Sequence, residues 1–404
     1  IMDYLKETIE EYGLDEKIKY NHHVESANWN ESEGLWEVNV TEKKSSEKFL
    51  YKSKFLYMCA GYYRYSSGYE PEFKGSENFL GQIIHPQKWP ESLDYKGKNV
   101  VVIGSGATAA TIVPKIAKEA NLVTMLQRSP TYFVSRPDED SIALFLKKFL
   151  PKSLVYALIR FKNVYLQQSL FKRVRAFPDR SKKFLIDQVK KELPDFDVDK
   201  HFTPRYNPWE QRMCLIPNSD FFEAIKNKTA TVVTDHIESF EEKGIKLKSG
   251  DFLDADIIVT ATGLVLQNFG GVTISINNNP VNVSKTMTYK SLMYSDIPNF
   301  VNSFGYINAS WTLKADLTSV YLCRLIKHMD KNEYSSACPR KPLDVDETYD
   351  WLKDFSSGYI QRSINLHPQQ GSKKPWVNYQ DYIKDWIDVK FSKLEDGNLI
   401  FSRD

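Results

Sequence analysis

The string Gly104-Ser105-Gly106-Ala107-Thr108-Ala109 follows an apolar run, NVVVI, and opens a helix-forming stretch, GATAATIVPKIAKEA. The chemistry open to such a turn is phosphate binding. Its first glycine permits a tight strand-to-helix reversal, its second lets backbone approach a pyrophosphate, and a small third residue keeps helix and strand close. The N–H groups and positive dipole end of the helix complete an anion site. An NAD site carries a carboxylate about 20 residues further on, to bond the ribose 2′-hydroxyl. Here the second strand ends in Gln127-Arg128-Ser129-Pro130-Thr131 and offers no acid. A guanidinium with neighbouring hydroxyls can hold a 2′-phosphate through charge-assisted hydrogen bonds, so the residues predict NADPH with Arg128 as the discriminating group. The bland alternatives are a glycine-rich structural turn and a solvated surface arginine.

The strand, loop, helix and second apolar strand NLVTMLQR make one βαβ unit. Upstream, residues 3 to 13 read as a helix and Lys17 to Val24 as a short strand. Trp36 to Val40 and Phe49 to Met58 read as a small antiparallel hairpin around the polar turn TEKKSSE. Phe55 to Gly61 (FLYMCAG) suits a buried strand emptying into a loop. A connector rich in Gly, Pro and Tyr runs to Pro90, and residues 141 to 192 read as largely helical with basic faces. The β pattern returns at Ala230 and closes on the apolar run DIIVTATG, ending at Gly263. A hairpin around Asn277 to Pro280 and a strong helix from about Ser310 to Asp330 follow. The residues after Pro339 are weakly patterned.

At roughly 150 residues per domain, a chain of 404 residues accommodates two or three domains. With 42% hydrophobic and 26% charged residues, collagen-like, coiled-coil and wholly disordered readings are excluded. The net charge of +2 argues against a nucleic-acid partner. Ser141 to Glu192, however, carries 13 basic and 3 acidic residues, a local +10 that leaves −8 elsewhere. In that segment Ile142, Phe145, Leu146 and Phe149 follow i, i+3, i+4, i+7. Leu154, Leu158, Phe161 and Tyr165 extend the stripe, with Lys147, Lys148, Lys152, Arg160 and Lys162 around it. Such a segment suits a lid over a substrate channel, a weak peripheral contact with an anionic membrane, or the solvated basic face of a packed helix. Cys59, Cys214, Cys323 and Cys338 show neither metal-ligand nor disulfide spacing and read as reduced, mostly buried thiols; no metal site is expected. No apolar run reaches the roughly 18 residues of a membrane span, and the chain reads as cytoplasmic. It opens at Ile1 within a helical pattern, which raises the expectation of a missing N-terminal part.

The segment Phe79-Leu-Gly81-Gln-Ile-Ile-His85-Pro-Gln-Lys-Trp89-Pro90 resembles the FxGxxxHxxxW(P/D) fingerprint of the Baeyer–Villiger and related flavin-containing monooxygenases. The likeness continues through GKNVVVIGSGATA, MLQRSPTY and the DxxxxATG element at Asp256, Ala261, Thr262 and Gly263. Residues 206–222, 306–317 and 355–363 resemble the ethionamide-activating branch. This resemblance implies an α/β fold of two dinucleotide-binding, Rossmann-like domains. An NADPH domain (63–262, with the basic helical insertion at about 141–192) would be inserted into an FAD domain (1–62 and 263–404) whose N-terminal part is missing. The chain would cross between them at Gly61 and Gly263, and the FAD phosphate loop and an active-site aspartate would lie upstream of Ile1.

The resemblance also implies roles. Arg212 matches an active-site arginine beside the flavin, where a fixed cation stabilises a flavin C4a-peroxide and its adduct with a carbonyl. Gln211 stands where many relatives place a lysine on the 2′-phosphate. His85 and Trp89 would couple the domains during cofactor movement rather than transfer protons. Asn308 and Trp311 would lie at a helix N-terminus facing the flavin N1–C2=O edge, and Val24 would touch the FAD adenine through its backbone. The activity implied is FAD- and NADPH-dependent insertion of one oxygen from O2 into ketones or aldehydes, or onto the sulfur of sulfides or thioamides. Alternatives are an enzyme restricted to N- or S-oxygenation and an inactive NADPH-binding module.

Overall fold

The computed structural model describes residues 1–342, 348–349 and 355–403. Helix α1 (Met2–Glu11) buries none of its residues. Strands β1 (His22–Asn30), β2 (Leu35–Glu42) and β3 (Lys48–Ser53) form an antiparallel sheet. The strand expected at Lys17–Val24 is displaced. Asp15–Lys17 is a 3-10 turn, Asn21 turns the backbone at φ 59°, and β1 runs to Asn30. Its partners explain the shift. Ser26 to Trp29 pair in parallel with a strand far along the chain, which buries Ala27, Asn28 and Trp29, whereas Lys17–Tyr20 has no strand to pair with. The run Phe49–Met58 also divides: β3 ends at Ser53, and β4 (Leu56–Met58) belongs to another sheet, pairing in parallel with the strand Phe300–Asn302.

The next body is a five-stranded, wholly parallel sheet. It contains β5 (Gln82–Ile84), drawn from the expected connector, and β6 (Asn99–Ile103), followed by α2 (Ala107–Ile116) and β7 (Leu122–Gln127). After β8 (Phe133–Arg136) come α3 (Ser141–Leu146), α4 (Lys152–Ala176), α5 (Pro178–Glu192) and α6 (Val198–His201). Strand β9 (Cys214–Pro217) pairs with β8 and leads to α7 (Asp220–Lys226). Strands β10 (Ala230–Thr234), β11 (Ile237–Glu241), β12 (Gly244–Leu247), β13 (Phe252–Asp254) and β14 (Ile257–Thr260) follow. The parallel order is β10-β7-β6-β14-β5. Both faces are covered, as parallel sheets require. Val100, Val102, Val123 and Met125 pack beneath α2 and α7, while Val101, Ile103 and Leu126 face Phe240 and Ile245 of the β11–β13 sheet.

The chain then returns to the first sheet with β15 (Thr273–Ile276) and β16 (Asn279–Pro280). Beyond it lie α8 (Trp311–Asn332), α9 (Gly358–Gln361) and α10 (Tyr382–Phe391). The residues after Pro339 are better organised than their pattern predicts, apart from 343–347 and 350–354, which lie outside the described residues: α10 packs on α8, and Leu399–Ser402 pairs with Ser336–Pro339. The α8–α10 contact is centred on an ion pair. Lys314 Nζ donates to Asp385 Oδ2 at 2.8 Å, and the Tyr306 hydroxyl donates to the same oxygen at 2.7 Å. Cys214 and Cys338 are buried, but Cys59 and Cys323 are exposed, against the expectation of mostly buried thiols. Among the described residues no helix is long and apolar enough to cross a membrane, and no cluster of three His, Cys, Asp or Glu could hold a metal ion.

Lys314 and Asp385 are only 2% and 5% exposed, so Lys314→Ala strands a buried carboxylate and should cost about 3–5 kcal/mol in denaturant unfolding. Lys314→Met combined with Asp385→Leu should cost less than Lys314→Ala alone. A second expectation concerns pH. Burial pulls the His367 imidazole down to about 4 from its usual 6.5. The unfolded chain therefore takes up a proton that the native state refuses, and stability falls as pH drops from about 6.5 towards 4, by about 3 kcal/mol. His367→Gln should flatten that decline when unfolding curves at neutral and acid pH are compared.

Candidate active site

At the end of β6 the chain turns through Gly104 at φ 134°, and its N–H donates to the Leu126 carbonyl at 2.8 Å. A Cβ here would stand 2.3 Å from the Ala261 carbonyl oxygen, so only glycine passes. Gly106 is the N-cap of α2; a Cβ on it would meet nothing within 4 Å, and no side chain caps the helix. Ala109 is fully buried against the sheet, while Gly106, Ala107 and Thr108 are exposed. Ser105 Oγ donates to the Ser129 carbonyl at 3.2 Å and ties the loop to the end of β7. An uncapped helix start behind an open glycine is a cradle into which a pyrophosphate fits. Arg128 and Ser129 are exposed beside it. Thr131, grouped with them by sequence, instead turns inward: its hydroxyl bonds the Tyr206 hydroxyl at 2.8 Å. Gln127 is buried too, its Nε2 donating to the His201 carbonyl and to Thr234.

The two strand-end glycines meet. Gly61 (φ 69°) and Gly263 (φ 114°) each release a segment, and the segments run side by side. Arg64 N–H donates to the Val265 carbonyl at 2.8 Å, Gln267 N–H to Tyr62 at 3.0 Å, and Tyr69 N–H to Gly263 at 3.0 Å. The Thr262 hydroxyl donates to the Tyr69 carbonyl. His85, 7% exposed, sits on this junction. Its Nε2 donates to the Gly263 carbonyl at 3.3 Å while Nδ1 accepts from Gln87 N–H at 3.2 Å, which places the proton on Nε2. The fingerprint spacing now has a physical reading. Phe79 anchors in the cluster on one face of the parallel sheet, β5 runs along the edge, and Trp89 packs into the cluster on the other face. Gly81 passes so close to the Asp256 carbonyl, 2.2 Å from an added Cβ, that a side chain is excluded. Pro90 is exposed.

Arg212 precedes β9 and is exposed. Two residues on, Cys214 Sγ lies 3.5 Å from the Ser105 carbonyl, so β9 links the arginine to the glycine-rich loop. Gln211 Nε2 donates to Ser356 Oγ at 3.3 Å. Around Arg212 stand Tyr62, Tyr63 and Tyr359. Burial pushes all three hydroxyls up, that of Tyr359 to about 12, while the guanidinium charge opposes the shift in each. Tyr62 and Tyr63 share a hydrogen bond of 2.7 Å, and Tyr62 stacks on Trp311 at 4.4 Å. These tyrosines escaped the sequence reading; the aromatic run GYYRY directly after Gly61 was the available signal. At α8, Ser310 is the N-cap but makes no capping bond, so the first turn is open. Asn308 is no cap either: it is buried, donating to the Gln380 carbonyl and accepting from Gln167 of α4. Val24 lies in the antiparallel sheet, half-buried opposite Val40.

A glycine-rich phosphate cradle on a parallel sheet, joined by a double crossover to a second α/β body, is the architecture of a dinucleotide-binding protein. A family model described as flavin-binding monooxygenase-like matches residues 1–331. The chain is 47% identical over 406 aligned residues to the FAD-containing monooxygenase EthA of Mycobacterium tuberculosis, covering 100% of this chain and 82% of that protein. It is 43% identical to the probable FAD-binding monooxygenase AlmA of Acinetobacter baylyi, covering 100% and 81%. In fold it matches an oxidised steroid monooxygenase bound to NADP with a TM-score of 0.75 at 20% identity, over 100% of this chain and 84% of that one. The chain belongs to the flavin-binding monooxygenase-like family and is a flavoprotein monooxygenase.

The two glycines of the loop separate stability from binding. Gly106→Ala adds a Cβ that meets nothing within 4 Å and should leave the melting temperature unchanged while weakening NADPH about tenfold in a fluorescence titration. Gly104→Ala collides with the Ala261 carbonyl and should lower the melting temperature itself.

Proposed function

We propose that the enzyme inserts one oxygen atom of O2 into a ketone or aldehyde, with S-oxygenation of sulfides or thioamides on the same site. The overall balance is ketone, O2, NADPH and a proton giving ester, NADP+ and water. In this reading residues 63–262 bind NADPH, through the Gly104–Ala109 cradle and Arg128 on the 2′-phosphate. Residues 1–62 and 263–404 bind FAD, with Trp311 and the open start of α8 towards the ring and Val24 towards the adenine. The flavin, when bound, supplies the reduction of dioxygen.

The observation that carries the reading is the position of Arg212, beside the crossover and the tyrosine cluster. A guanidinium there neutralises negative charge on the oxygen of a carbonyl under attack. Tyr62, Tyr63, Trp311 and Phe304 wall one side with aromatic surface. The raised tyrosine hydroxyls stay protonated through neutral pH and serve as hydrogen-bond donors, not bases. His85 holds the crossover while the bodies adjust around the exchanging nicotinamide.

Arg212→Ala should lower ester formation from cyclic ketones by about 100-fold or more while sulfoxide formation from alkyl aryl sulfides is retained, with both products quantified by gas chromatography in full-length protein supplied with FAD and NADPH. Equal loss of ester and sulfoxide would remove the carbonyl-specific role of Arg212. Absence of any oxygenated product from the unaltered enzyme across the panel would refute the reading.

A further inference from the structure

The basic insertion is both anchored and bare. Helix α4 is pinned to the rest of the molecule at several points. Arg160 of α4 pairs with Asp316 of α8 at 2.9 Å, Lys172 pairs with Asp381 at the start of α10 at 2.8 Å, and Gln167 donates to the Asn308 carbonyl at 3.2 Å. Lys162 pairs with Asp140, which also caps α3 by accepting from the Ile142 and Ala143 N–H groups. The apolar stripe is bare. Helix α4 is 25 residues long yet buries only Val155 and Val174. Ile142, Phe145, Phe149, Leu154, Leu158 and Phe161 are 45–71% exposed, with Phe145 against Phe149 at 5.2 Å and Phe161 stacked near Tyr165 at 6.3 Å. Of the expected stripe at α3, Leu146 alone is turned further in. A packed surface helix turns its apolar stripe to the core; this one turns it to solvent. Lys147, Lys148 and Lys152, on the chain between Phe145 and Leu154, are exposed and form no ion pair among the described residues.

We propose that the α3–α4 surface docks on an anionic phospholipid bilayer. Exposed Phe, Leu and Ile enter the headgroup boundary, and the unpaired lysines meet the lipid phosphates, the combination that holds an interfacial helix to a charged membrane. Charge decides among occupants. A twofold contact between two copies would lay this face on itself, setting the unpaired Lys147, Lys148 and Lys152 against their own counterparts, whereas an anionic bilayer complements them. The inward side of α4 reaches towards the candidate site: Phe171 packs edge-on against Trp209 at 5.4 Å, three residues before Arg212. A lipophilic substrate dissolved in the bilayer thus has a short approach. The docking itself does not depend on the proposed reaction.

The test is sedimentation of full-length protein with extruded vesicles of phosphatidylcholine alone or mixed with phosphatidylglycerol, at low and high salt. The expected result is binding only to vesicles containing phosphatidylglycerol, weakened by salt. Lys147→Gln and Lys148→Gln should each lower partitioning about fivefold, and Phe149→Ser and Phe161→Ser about tenfold each. All four variants should keep the circular dichroism spectrum and NADPH affinity of the unaltered protein. Absence of sedimentation above protein alone, or equal binding to the two vesicle types, would overturn the proposal. So would analytical ultracentrifugation showing a dimer that Phe149→Ser abolishes while vesicles fail to bind.

Discussion

The structure depends on two chain crossings made at one place. Because residues 1–60 and 264–403 enclose the parallel sheet in sequence, the chain must leave and re-enter the first body through neighbouring points, or the two bodies could not share a cleft. Gly61 and Gly263 meet that demand with left-handed backbone, and the segments beyond them bond to each other as a short ladder. A loose pair of linkers would let the bodies drift. A hydrogen-bonded pair, closed by the Nε2–H of His85 on the Gly263 carbonyl, holds the two crossings together. The long fingerprint spacing follows, since its phenylalanine and tryptophan must reach opposite faces of the sheet around edge strand β5 before the histidine can arrive at the junction.

The same junction sets the electrostatics of the site. The molecule uses its cations in two ways, and burial separates them. Lys314 is enclosed with Asp385 and the Tyr306 hydroxyl, a satisfied network whose charge is spent on holding α8 to α10. Arg212 is exposed, stands among three tyrosines whose hydroxyls stay neutral, and has its charge available. Cys214 Sγ, 3.5 Å from the Ser105 carbonyl, ties the strand that follows Arg212 to the glycine-rich loop.

What was legible in the sequence was what local physics determines. A parallel strand buried on both faces reads as an unbroken apolar run, so β6, β7 and β14 and the loop between them stood out without reference to anything distant. The extent of β1 did not, because Ser26–Asn30 is polar in composition and is held as strand by partners on both edges, β2 and β15, the second contributed far later in the chain. Strand β5 was hidden for a related reason: three residues gain strand character only from β14 beside them. The tyrosine cluster joins residues on both sides of the crossover, and no periodicity announces it. Thr131 shows the converse limit, since the residue type offered a surface hydroxyl and the fold turned it inward to Tyr206.

The insertion shows where periodicity alone fails. An apolar stripe at i, i+3, i+4, i+7 states that a helix has two faces but not which one meets the protein. In α4 Arg160 and Gln167, two turns apart on one face, reach Asp316 of α8 and the Asn308 carbonyl, which leaves the stripe of Leu154, Leu158 and Phe161 directed away. Each such contact is partly exposed and individually weak. Together with the burial of Val174 they set the rotation of the helix, because turning the stripe inward would break both contacts and carry Arg160 into solvent without a partner. The orientation of the bare face is thus a property of contacts to residues far along the chain, which no window of the sequence contains.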